Sequence, residues 1–385
     1  MPSFPRFPMK APLNRSVAVL GTGAYLPSRV MTNAALRDLV TNYDEAHSGE
    51  FSTWVDRVTH IHERRYIQSN DEHAGFMAAE AGKRALDMAG VKPTDLDLII
   101  HASFTPSACV PGDHVLVAKY IGAHATPSFT LTGACAGSVY GMGVAYGMLA
   151  SGAMKRILVT GSETISPTLD FTDPLTAILF GDGAGAVVMG HVGKSEGGML
   201  PPYMGHEFNW DNITMENANL PFTGKLRLQG RDSCPPAIDR PFLTMSSGSA
   251  VLKSAVNAMR DSVERVLGYR ETPPESEWND LRARMRLVPH QANGRIVDGL
   301  AKKLDLPAER VIKTIYRVGN ISAASNVIAL DHAFRKGNYL VDRDPATEKI
   351  LAIKDHRDPI RPGELVVMPS IGAGYLFGAV AFVQA

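Results

Sequence analysis

The sequence predicts an α/β fold assembled from two similar halves, and three observations support this prediction. The chain has 385 residues, 45% of them hydrophobic, enough to bury a large core in one big domain or two smaller ones. Short apolar runs alternate with helical stretches, a pattern typical of a parallel sheet covered by helices on both faces. One order of strand, glycine-bearing turn, small-residue helix and strand occurs twice along the chain.

The first half contains the clearest elements. Its apolar runs predict strands at Val17–Leu20, Leu96–His101, Ser128–Leu131 and Arg156–Thr160. Apolar side chains recur at helical spacing over Glu72–Ala89, and a stretch rich in Gly, Ala and Met predicts a buried helix over Ser138–Ser151. We expect Gly21-Thr-Gly23 to form a turn after the first strand.

The repeated order relates Cys135 to Asn320. The first copy passes from the third predicted strand through Cys135 into the small-residue helix. The second copy begins with a predicted strand at Val311–Val318 and passes through Asn320 into another helix. Asn320 therefore takes the position in the second copy that Cys135 holds in the first. The two halves are expected to pack against each other, and a chance similarity of two α/β units is the alternative.

The composition also suggests how the chain is divided. The predicted units are a flexible or surface-bound arm (1–14), an N-terminal half (15–198), a cap or linker loop (199–241) and a C-terminal half (242–385). The arm has four prolines and lacks the apolar core of a secretory signal. The loop lacks periodicity, and long loops of this kind usually cover a site. A charged stretch, 339–361, interrupts the second copy and is expected to form a surface hairpin around Lys349–Lys354.

Charge and cysteine content exclude several classes of function. The 39 basic and 39 acidic residues cancel, so no net field attracts nucleic acid or an anionic membrane. No apolar run reaches the length of about 18 residues that a membrane span needs. The three cysteines, Cys109, Cys135 and Cys234, are too few and too scattered for a disulfide framework or a Cys-rich zinc site. This usage favours a reducing, cytoplasmic compartment.

Cys135 is the strongest candidate nucleophile. It lies in Thr132-Gly-Ala-Cys135-Ala-Gly-Ser138, between a predicted strand and the small-residue helix. Unpaired N–H groups at a helix N-terminus favour a thiolate, and small neighbours leave room for an acyl chain. A buried structural cysteine is the alternative interpretation. Cys109 and Cys234 lie in proline-containing loops and are expected to have no such role.

Two further polar residues follow predicted elements of the second half. His290 comes just after the apolar run Met285–Val288, and Asn320 lies in Gly319-Asn320-Ile-Ser. If the halves pack with pseudo-twofold symmetry, both residues face one cavity with Cys135. A thiol, an imidazole and a carboxamide can together form an acyl-transfer centre. A core histidine and a capping asparagine are the alternatives for the two residues taken singly.

Other motifs lack the context that they need. Gly21-Thr-Gly23 lacks the third glycine of a dinucleotide fingerprint, and the chain has no phosphate-binding loop. His60 and His62 could seat a metal ion, but no third ligand is in reach and no metal is predicted. Asp182 is expected to anchor a turn by hydrogen bonds rather than to act as an acid catalyst.

From about Val17 onward the chain resembles the β-ketoacyl-acyl-carrier-protein synthase III family, the initiating condensing enzymes of the thiolase superfamily. The order and the spacing of the shared motifs agree throughout. The matching stretches are Trp54 to Ile61-His62-Glu63-Arg64, Gly133-Ala-Cys135-Ala-Gly-Ser, Ile178-Leu-Phe180-Gly-Asp182-Gly-Ala-Gly-Ala, Val288-Pro-His290-Gln-Ala-Asn-Gly-Arg295-Ile, Gly319-Asn320-Ile-Ser-Ala-Ala-Ser and Gly372-Ala-Gly.

The resemblance implies a duplicated five-layer α-β-α-β-α thiolase fold, a homodimer and a catalytic triad of Cys135, His290 and Asn320. The N–H groups of Cys135 and Ala373 would form the oxyanion hole, with alanine in place of the family's usual glycine. His290 and Asn320 would hold the thioester oxygen of a malonyl unit while carbon dioxide leaves. Substrate contacts are implied at Trp54, Arg57, Val110, Phe180 and Gly372, and carrier-protein docking at Lys253, Arg295, Lys302 and Lys303. No cofactor is implied beyond the phosphopantetheine arm of acyl carrier protein or coenzyme A.

The chain departs from the family at the coenzyme A site. Val58 and Pro167 stand where typical members carry arginines that grip coenzyme A, and Arg57 is displaced by one residue from the first of these positions. A proline cannot replace a guanidinium in phosphate binding, so we expect the acyl donor, the acceptor or both to arrive on a carrier protein. Val110 stands in place of an aromatic residue that reaches the partner's acyl pocket, which predicts room for a longer or branched acyl group.

One other activity is compatible with these motifs. The acyl group could pass to an oxygen, nitrogen or carbon nucleophile in secondary metabolism instead of to a malonyl unit. Asn320 favours decarboxylation, because simple transfer to a hydroxyl needs only a histidine base. A non-catalytic partner subunit is disfavoured because Cys135, His290 and Asn320 are all present.

Overall fold

Two central sheets organise the molecule. The computed structural model describes residues 9–192, 197–209, 213–215, 242–245 and 248–385. The strands are β1 (Val17–Tyr25), β2 (Arg29–Thr32), β3 (Glu63–Tyr66), β4 (Leu98–Ala102), β5 (Ser128–Leu131), β6 (Arg156–Glu163), β7 (Gly183–His191), β8 (Gly198–Met199), β9 (Tyr203–His206), β10 (Ile213–Thr214), β11 (Thr244–Met245), β12 (Met285–Leu287), β13 (Gly337–Arg343), β14 (Ile350–Arg357), β15 (Leu365–Gly372) and β16 (Leu376–Val383).

The helices fall on and between these sheets. They are α1 (Asn33–Arg37), α2 (Glu45–Ser48), α3 (Phe51–Thr59), α4 (Ala74–Ala89), α5 (Asp113–Ile121), α6 (Gly137–Ala150), α7 (Pro174–Ala177), α8 (Gly248–Val266), α9 (Glu275–Arg284), α10 (Gly294–Lys303), α11 (Ile315–Val318) and α12 (Ser325–Arg335). Within the described part of the chain, no helix combines the length and the apolar character that a bilayer crossing requires. Most of the predicted loop 199–241, with Cys234, and the first eight residues lie outside the described residues.

The first sheet has the strand order β1-β7-β6-β4-β5. β4 runs parallel to β5 and β6, whereas β7 runs antiparallel to both β6 and β1. The expectation of a parallel sheet is therefore wrong for the β7–β1 side. An apolar run indicates only that both faces of a strand are buried. It does not give the direction of the strand, because an antiparallel strand buried on both faces has the same composition.

The glycines of β1 pack against a helix instead of forming the expected turn. β1 continues beyond Leu20, where the sequence predicts its end, through Gly21 and Gly23 to Tyr25. β5, in contrast, ends at the predicted residue. A Cβ atom on Gly21 would lie 2.4 Å from the carbonyl oxygen of Ala85, and one on Gly23 would lie 2.2 Å from another α4 carbonyl oxygen. The predicted turn at these glycines is wrong, because they serve the close approach of α4 to the sheet.

The second sheet has the order β12-β15-β16-β8, and β9 also pairs with β16. The strand predicted at Val311–Val318 is wrong. Val311 makes only an isolated parallel bridge with Leu287, and the chain then coils into α11. The apolar side chains of this segment are buried in either conformation, and so short a run does not distinguish a strand from a helical turn.

Five layers follow from the packing of the helices. α4 and α5 cover the outer face of the first sheet, and α8 and α10 cover the second. α6 and α12 contact each other between the two sheets. Their apolar side chains share one buried cluster with residues of both sheets, including Met142, Leu330, Val159 and Phe382. The predicted α-β-α-β-α sandwich is confirmed, while the residue limits assigned to its two halves stay a prediction.

The charged stretch 339–361 forms most of a hairpin. β13 and β14 pair antiparallel from Gly337 opposite Arg357, and their turn lies at 344–349, just before the predicted position. Ile350 is buried, and its N–H donates to Asp56 Oδ2 of α3 at 3.1 Å. The hairpin therefore braces α3 while its charged side chains face outward.

Candidate active site

Cys135 lies on a single 3-10 turn, Ala134–Ala136, between β5 and α6. Gly137 begins α6 at the contact between the two halves, where a Cβ atom would lie 3.1 Å from that of Ala102 and 3.4 Å from that of Ala323. The small residues around the thiol therefore allow the turn to pack directly on the second half. This position is the strand-to-helix junction that the sequence predicts.

The second half repeats this turn, with a different residue opposite the cysteine. A 3-10 turn at Ser322–Ala324 precedes α12, as Ala134–Ala136 precedes α6. The first residue of each turn is left-handed, with φ of 44° at Ala134 and 42° at Ser322. Ala323 is therefore the counterpart of Cys135. The expected equivalence of Asn320 and Cys135 is wrong, because the backbone conformation and not the glycine pattern sets the register.

Asn320 nevertheless lies just before this second turn, and hydrogen bonds fix both its main chain and its side chain. Its N–H donates to the Leu179 carbonyl at 2.9 Å, and its own carbonyl accepts from the N–H of Gly181 at 3.0 Å. The Ser322 N–H donates to Asn320 Oδ1 at 2.8 Å, which fixes the carboxamide and leaves its amino group as a donor. Phe180 contributes a backbone bridge to Asn320, so its part in the site is through the main chain.

His290 follows β12 and is almost wholly buried, with 1% of its surface exposed. The main-chain N–H of His290 donates to the Pro369 carbonyl at 2.9 Å. The Asn326 amide of α12 donates to the carbonyls of Val288 and Pro369 at 3.0 and 3.1 Å, which secures the strand ends beside the imidazole. Burial lowers the pKa of His290 to about 3, so the ring is neutral and carries one N–H to donate.

Cys135, His290 and Asn320 line one narrow cavity of about 70 Å³. Gly372 and Ala373 line it as well, and the other lining residues are Asn209, Ile213, Ala255, Ala292, Ile296, Ile371, Gly374 and Tyr375. The walls are largely apolar, and the three predicted catalytic side chains are among the few polar groups that line them. Such a cavity suits a thin acyl or pantetheine chain with one reacting carbonyl.

The turn after β15 lies directly against the main chain of Cys135. A Cβ atom on Gly372 would lie 2.9 Å from the Cys135 nitrogen and 3.0 Å from that of Ala136. Ser370 Oγ donates to the Cys135 carbonyl at 3.0 Å. Only glycine fits at 372, and the next residue, Ala373, lines the same cavity. The geometry suits a pair of N–H donors for an oxyanion.

The electrostatics of Cys135 differ from the sequence expectation. Burial raises the pKa of the thiol to about 11, the contact with Ser322 lowers it, and the charge of Glu163 raises it. The expectation of a thiolate is therefore wrong for the resting site, because desolvation outweighs the hydrogen bonds from Ser322 and from the Cys135 main chain.

Glu163 is a buried carboxyl group that the sequence analysis missed. It ends β6 and accepts hydrogen bonds from the Thr105 N–H at 3.1 Å and hydroxyl at 2.6 Å, and from Ser103 Oγ at 3.2 Å. Burial raises the pKa of Glu163 to about 8. Ser322 and Tyr375 were missed too; for Ser322 the available signal was its position two residues after Asn320.

The remaining predicted substrate residues do not line the cavity. Trp54 packs against Tyr43 and Phe51, and Arg57 is exposed on the same helix, α3. Val110 is 87% exposed in the segment between β4 and α5. The predicted docking residues are all exposed and lie on two helices that pack together: Lys253 on α8, and Arg295, Lys302 and Lys303 on α10.

The two motifs without a predicted catalytic role are held by local contacts. Asp182 accepts from the N–H groups of Ile67 and Ser166, both at 2.8 Å, as expected of an anchor. His60 faces Asp298 with Nδ1 3.0 Å from its carboxylate, and His62 faces Asp56 instead. Among the described residues, no group of three or more His, Cys, Asp and Glu side chains is arranged to hold a metal ion.

Comparison with known proteins gives a consistent result. The family model of 3-oxoacyl-[acyl-carrier-protein] synthase III matches residues 129–206, and the model of its C-terminal part matches residues 281–342. The β-ketoacyl-[acyl-carrier-protein] synthase III of Alkalilimnicola ehrlichii is 34% identical over 363 residues, which cover 94% of this chain and 97% of that protein.

Solved structures extend the similarity to the fold. The 3-oxoacyl-(acyl carrier protein) synthase III of Pseudomonas aeruginosa is 30% identical, with a TM-score of 0.73, and covers 96% of this chain and 98% of that one. A priming β-ketosynthase from a polyketide biosynthetic pathway is 27% identical, with a TM-score of 0.76, and 98% of each chain is covered.

Proposed function

The chain belongs to the 3-oxoacyl-[acyl-carrier-protein] synthase III family, and on that premise we propose that Cys135, His290 and Asn320 catalyse a decarboxylative condensation. The protein is a thioester-dependent condensing enzyme with the thiolase fold. The observation that carries the assignment of residues is that all three side chains line one cavity. Its relatives include enzymes of fatty acid and of polyketide biosynthesis, so we propose that it acts in one of these two kinds of pathway.

The first half-reaction loads an acyl group on Cys135. The sulfur attacks the thioester carbonyl, a new carbon–sulfur bond forms, and the bond to the pantetheine sulfur breaks. The departing pantetheine thiolate takes up a proton, which balances the one that the Cys135 thiol gives up. The N–H groups of Cys135 and Ala373 stabilise the oxyanion, and the Ala373 methyl narrows the approach in comparison with glycine.

The second half-reaction extends the chain by two carbons. A malonyl thioester loses carbon dioxide, and the electron pair of the broken carbon–carbon bond moves into an enolate. His290 and Asn320 donate hydrogen bonds to the enolate oxygen, where the negative charge develops. The enolate carbon attacks the acyl-cysteine and expels the Cys135 sulfur. Removal of one such donor typically costs about 3–4 kcal/mol, or a factor of about 100–1,000 in rate.

The charges around the site support the proposal of carrier-protein substrates. Val58 and Pro167 replace the arginines that grip coenzyme A in typical members, and Arg57 is exposed beside Val58 on α3. Lys253 on α8 and Arg295 on the packed helix α10 add to a basic face that suits an acidic carrier helix and its phosphate. Phosphopantetheine is the only prosthetic arm required, and it belongs to the substrate.

We also propose that two copies form a homodimer. β5 lies at the end of the first sheet and is partly exposed along its length. An unpaired strand edge can bond to the same edge of a second copy and so extend the sheet. The exposed Val110 would then extend from one copy towards the acyl site of the other, where its small size leaves room for a longer chain. A cytoplasmic location stays a prediction.

Intact-mass measurement of acyl-enzyme formation tests the proposal. Matched carrier-protein and coenzyme A thioesters, over a series of acyl groups, are mixed with the protein and with Cys135→Ala. We expect the acyl mass on the native protein and not on the variant, with loading from the carrier at least as fast. Clearly faster loading from coenzyme A refutes the carrier preference, and loading of acetyl alone refutes the longer pocket.

Carbon dioxide release separates condensation from simple acyl transfer. A labelled malonyl thioester is supplied alone and with the acyl donor. We expect release to accompany formation of a β-ketoacyl product in equal amounts. If the acyl-enzyme forms but no carbon dioxide is released with any malonyl thioester, transfer to an oxygen, nitrogen or other carbon nucleophile becomes the better assignment.

A further inference from the structure

The hydroxyl of Ser322 is an unpaired polar group beside the nucleophile. Ser322 is fully buried, with 0% of its surface exposed. The turn that carries Ser322 packs on the turn that carries Cys135, and its Oγ, which has no well-formed hydrogen bond among the described residues, interacts with the Cys135 thiol. A buried hydroxyl without a partner is destabilising, so native proteins rarely retain one without a functional reason.

The backbone at Ser322 already has a separate task. Its N–H donates to Asn320 Oδ1 at 2.8 Å and so orients that carboxamide. Its φ of 42° is a left-handed conformation that a non-glycine residue adopts at some cost, and such residues concentrate at functional sites. The side chain takes no part in this bond. It is therefore free to serve Cys135.

The sulfur of Cys135 needs a hydrogen-bond donor when it becomes negative, and neither His290 nor Asn320 supplies one in the proposed mechanism. The imidazole of His290 is neutral and has one N–H, which the condensation step uses on the enolate oxygen. Glu163 lies near enough for its charge to oppose ionisation of the thiol. Ser138, on the first turn of α6, is the other buried hydroxyl of this region without a partner. Ser322 belongs to the turn that contacts the Cys135 turn from the other half of the molecule.

We propose that Ser322 is a catalytic residue whose hydroxyl donates a hydrogen bond to Cys135 Sγ as the sulfur becomes negative. The inference rests on the proposed function of Cys135 as nucleophile. During acylation the hydroxyl stabilises the sulfur that forms the bond to the acyl carbon. During condensation it stabilises the same sulfur when the enolate expels it. Ser322 keeps its own proton throughout, so the balance of both half-reactions is unchanged.

The pseudo-twofold symmetry supplies a suitable test variant. Ala134 adopts nearly the same left-handed conformation at the equivalent position of the first half, so this turn accepts an alanine. Ser322→Ala removes the hydroxyl and keeps the N–H that orients Asn320. Ser322→Gly removes the same hydroxyl and also relieves the backbone strain. A thermal melt of both variants verifies that they fold.

The readout is the pH dependence of alkylation of Cys135 by iodoacetamide, measured by mass on the peptide that contains Cys135. Peptide resolution matters because Cys109 is exposed and will also react. We expect both variants to raise the apparent pKa of the thiol by about one unit, which makes alkylation about tenfold slower at pH 8. A parallel loss of about tenfold is expected in the rate of acyl-enzyme formation.

Ser370→Ala is the matched control. Its hydroxyl donates to the Cys135 carbonyl and not to the sulfur, so its removal should leave the pH profile of alkylation in place. The proposal is overturned if a folded Ser322→Ala or Ser322→Gly protein gives the native pH profile, or if Ser370→Ala gives the same shift. Because alkylation needs no acyl substrate, this result is independent of whether the protein condenses a malonyl unit.

Discussion

The two 3-10 turns that meet at the centre of the molecule share a backbone and differ in chemistry. The turn before α6 has Cys135 in its middle, and the turn before α12 has Ala323 at the equivalent position. The second turn instead has Asn320 just before it and Ser322 at its start, and it packs against the first turn. The two turns therefore have similar frames, and in the proposed function the nucleophile lies on one and hydrogen-bond donors lie beside the other.

The two following helices differ in the same sense. α6 is rich in glycine where it packs; a Cβ atom at Gly141 would lie 3.0 Å from Val159. α12 instead uses a polar side chain, Asn326, whose amide holds the strand ends beside His290. The first half gives close packing around the sulfur, and the second half gives orientation to the donors. Substitutions at the two turns can separate these two contributions.

The largest expected effect is the loss of the nucleophile. Cys135→Ala should reduce condensation by about 10,000-fold or more, because the covalent route is removed. Adding Ala323→Cys to that variant moves the thiol to the equivalent turn and should restore no activity, since the donors face the other way. For both variants, steady-state product formation measures condensation and intact mass measures acyl-enzyme formation. Recovery of an acyl-enzyme in the double variant would contradict the division of roles.

The next effect concerns the contact between the halves. A Cβ atom on Gly161 of β6 would lie 2.6 Å from the carbonyl oxygen of Ala323, so Gly161→Ala must displace the second turn. We expect a loss of about 1–3 kcal/mol in unfolding free energy, together with lower activity. Chemical denaturation measures the first and the condensation assay the second.

Gly147 of α6 is the control for this substitution. A Cβ atom there would meet nothing within 4 Å, so Gly147→Ala should stabilise the helix by about 0.5–1 kcal/mol through its better helix propensity. Equal effects of the two substitutions would show that the close approach of β6 to the second turn has no importance for stability.

The smallest effect comes from the buried carboxyl group beside the first turn. The pKa of Glu163 is raised from 4.5 to about 8 by burial, so between these pH values the folded state holds a proton that the unfolded state has lost. This group's contribution to stability therefore falls as pH rises through that window. Glu163→Gln lacks the dependence, so its melting temperature relative to the native protein should rise by about 2–4 °C between pH 5 and pH 9.

Thermal melts at five pH values across that range test this expectation. Parallel curves for the two proteins would mean that Glu163 is ionised in the fold at every pH, as its several hydrogen-bond donors would permit.

The sequence identifies the family and the three polar residues that share the cavity, but it does not identify the symmetry that relates the two halves. Cys135 and His290 follow strands whose apolar runs are readable, and their motifs have few alternatives. The equivalence of Cys135 with Ala323 depends on the left-handed residues Ala134 and Ser322, and the glycine pattern gives no sign of that register. The predicted turn at Gly21 is wrong for a similar reason, because the sequence does not distinguish a glycine needed for close packing from one needed for a turn.

The division of roles between the halves is tested most directly by following acylation and carbon dioxide release separately in His290→Ala and Asn320→Ala. Each variant is mixed with an acyl thioester and then with a labelled malonyl thioester, and rapid-quench mass spectrometry follows the mass on Cys135. We predict that the acyl-enzyme forms within about tenfold of the native rate and then persists, while carbon dioxide release falls by about 100–1,000-fold. The division of roles would be contradicted if neither variant became acylated, or if either released carbon dioxide from the malonyl thioester at the native rate.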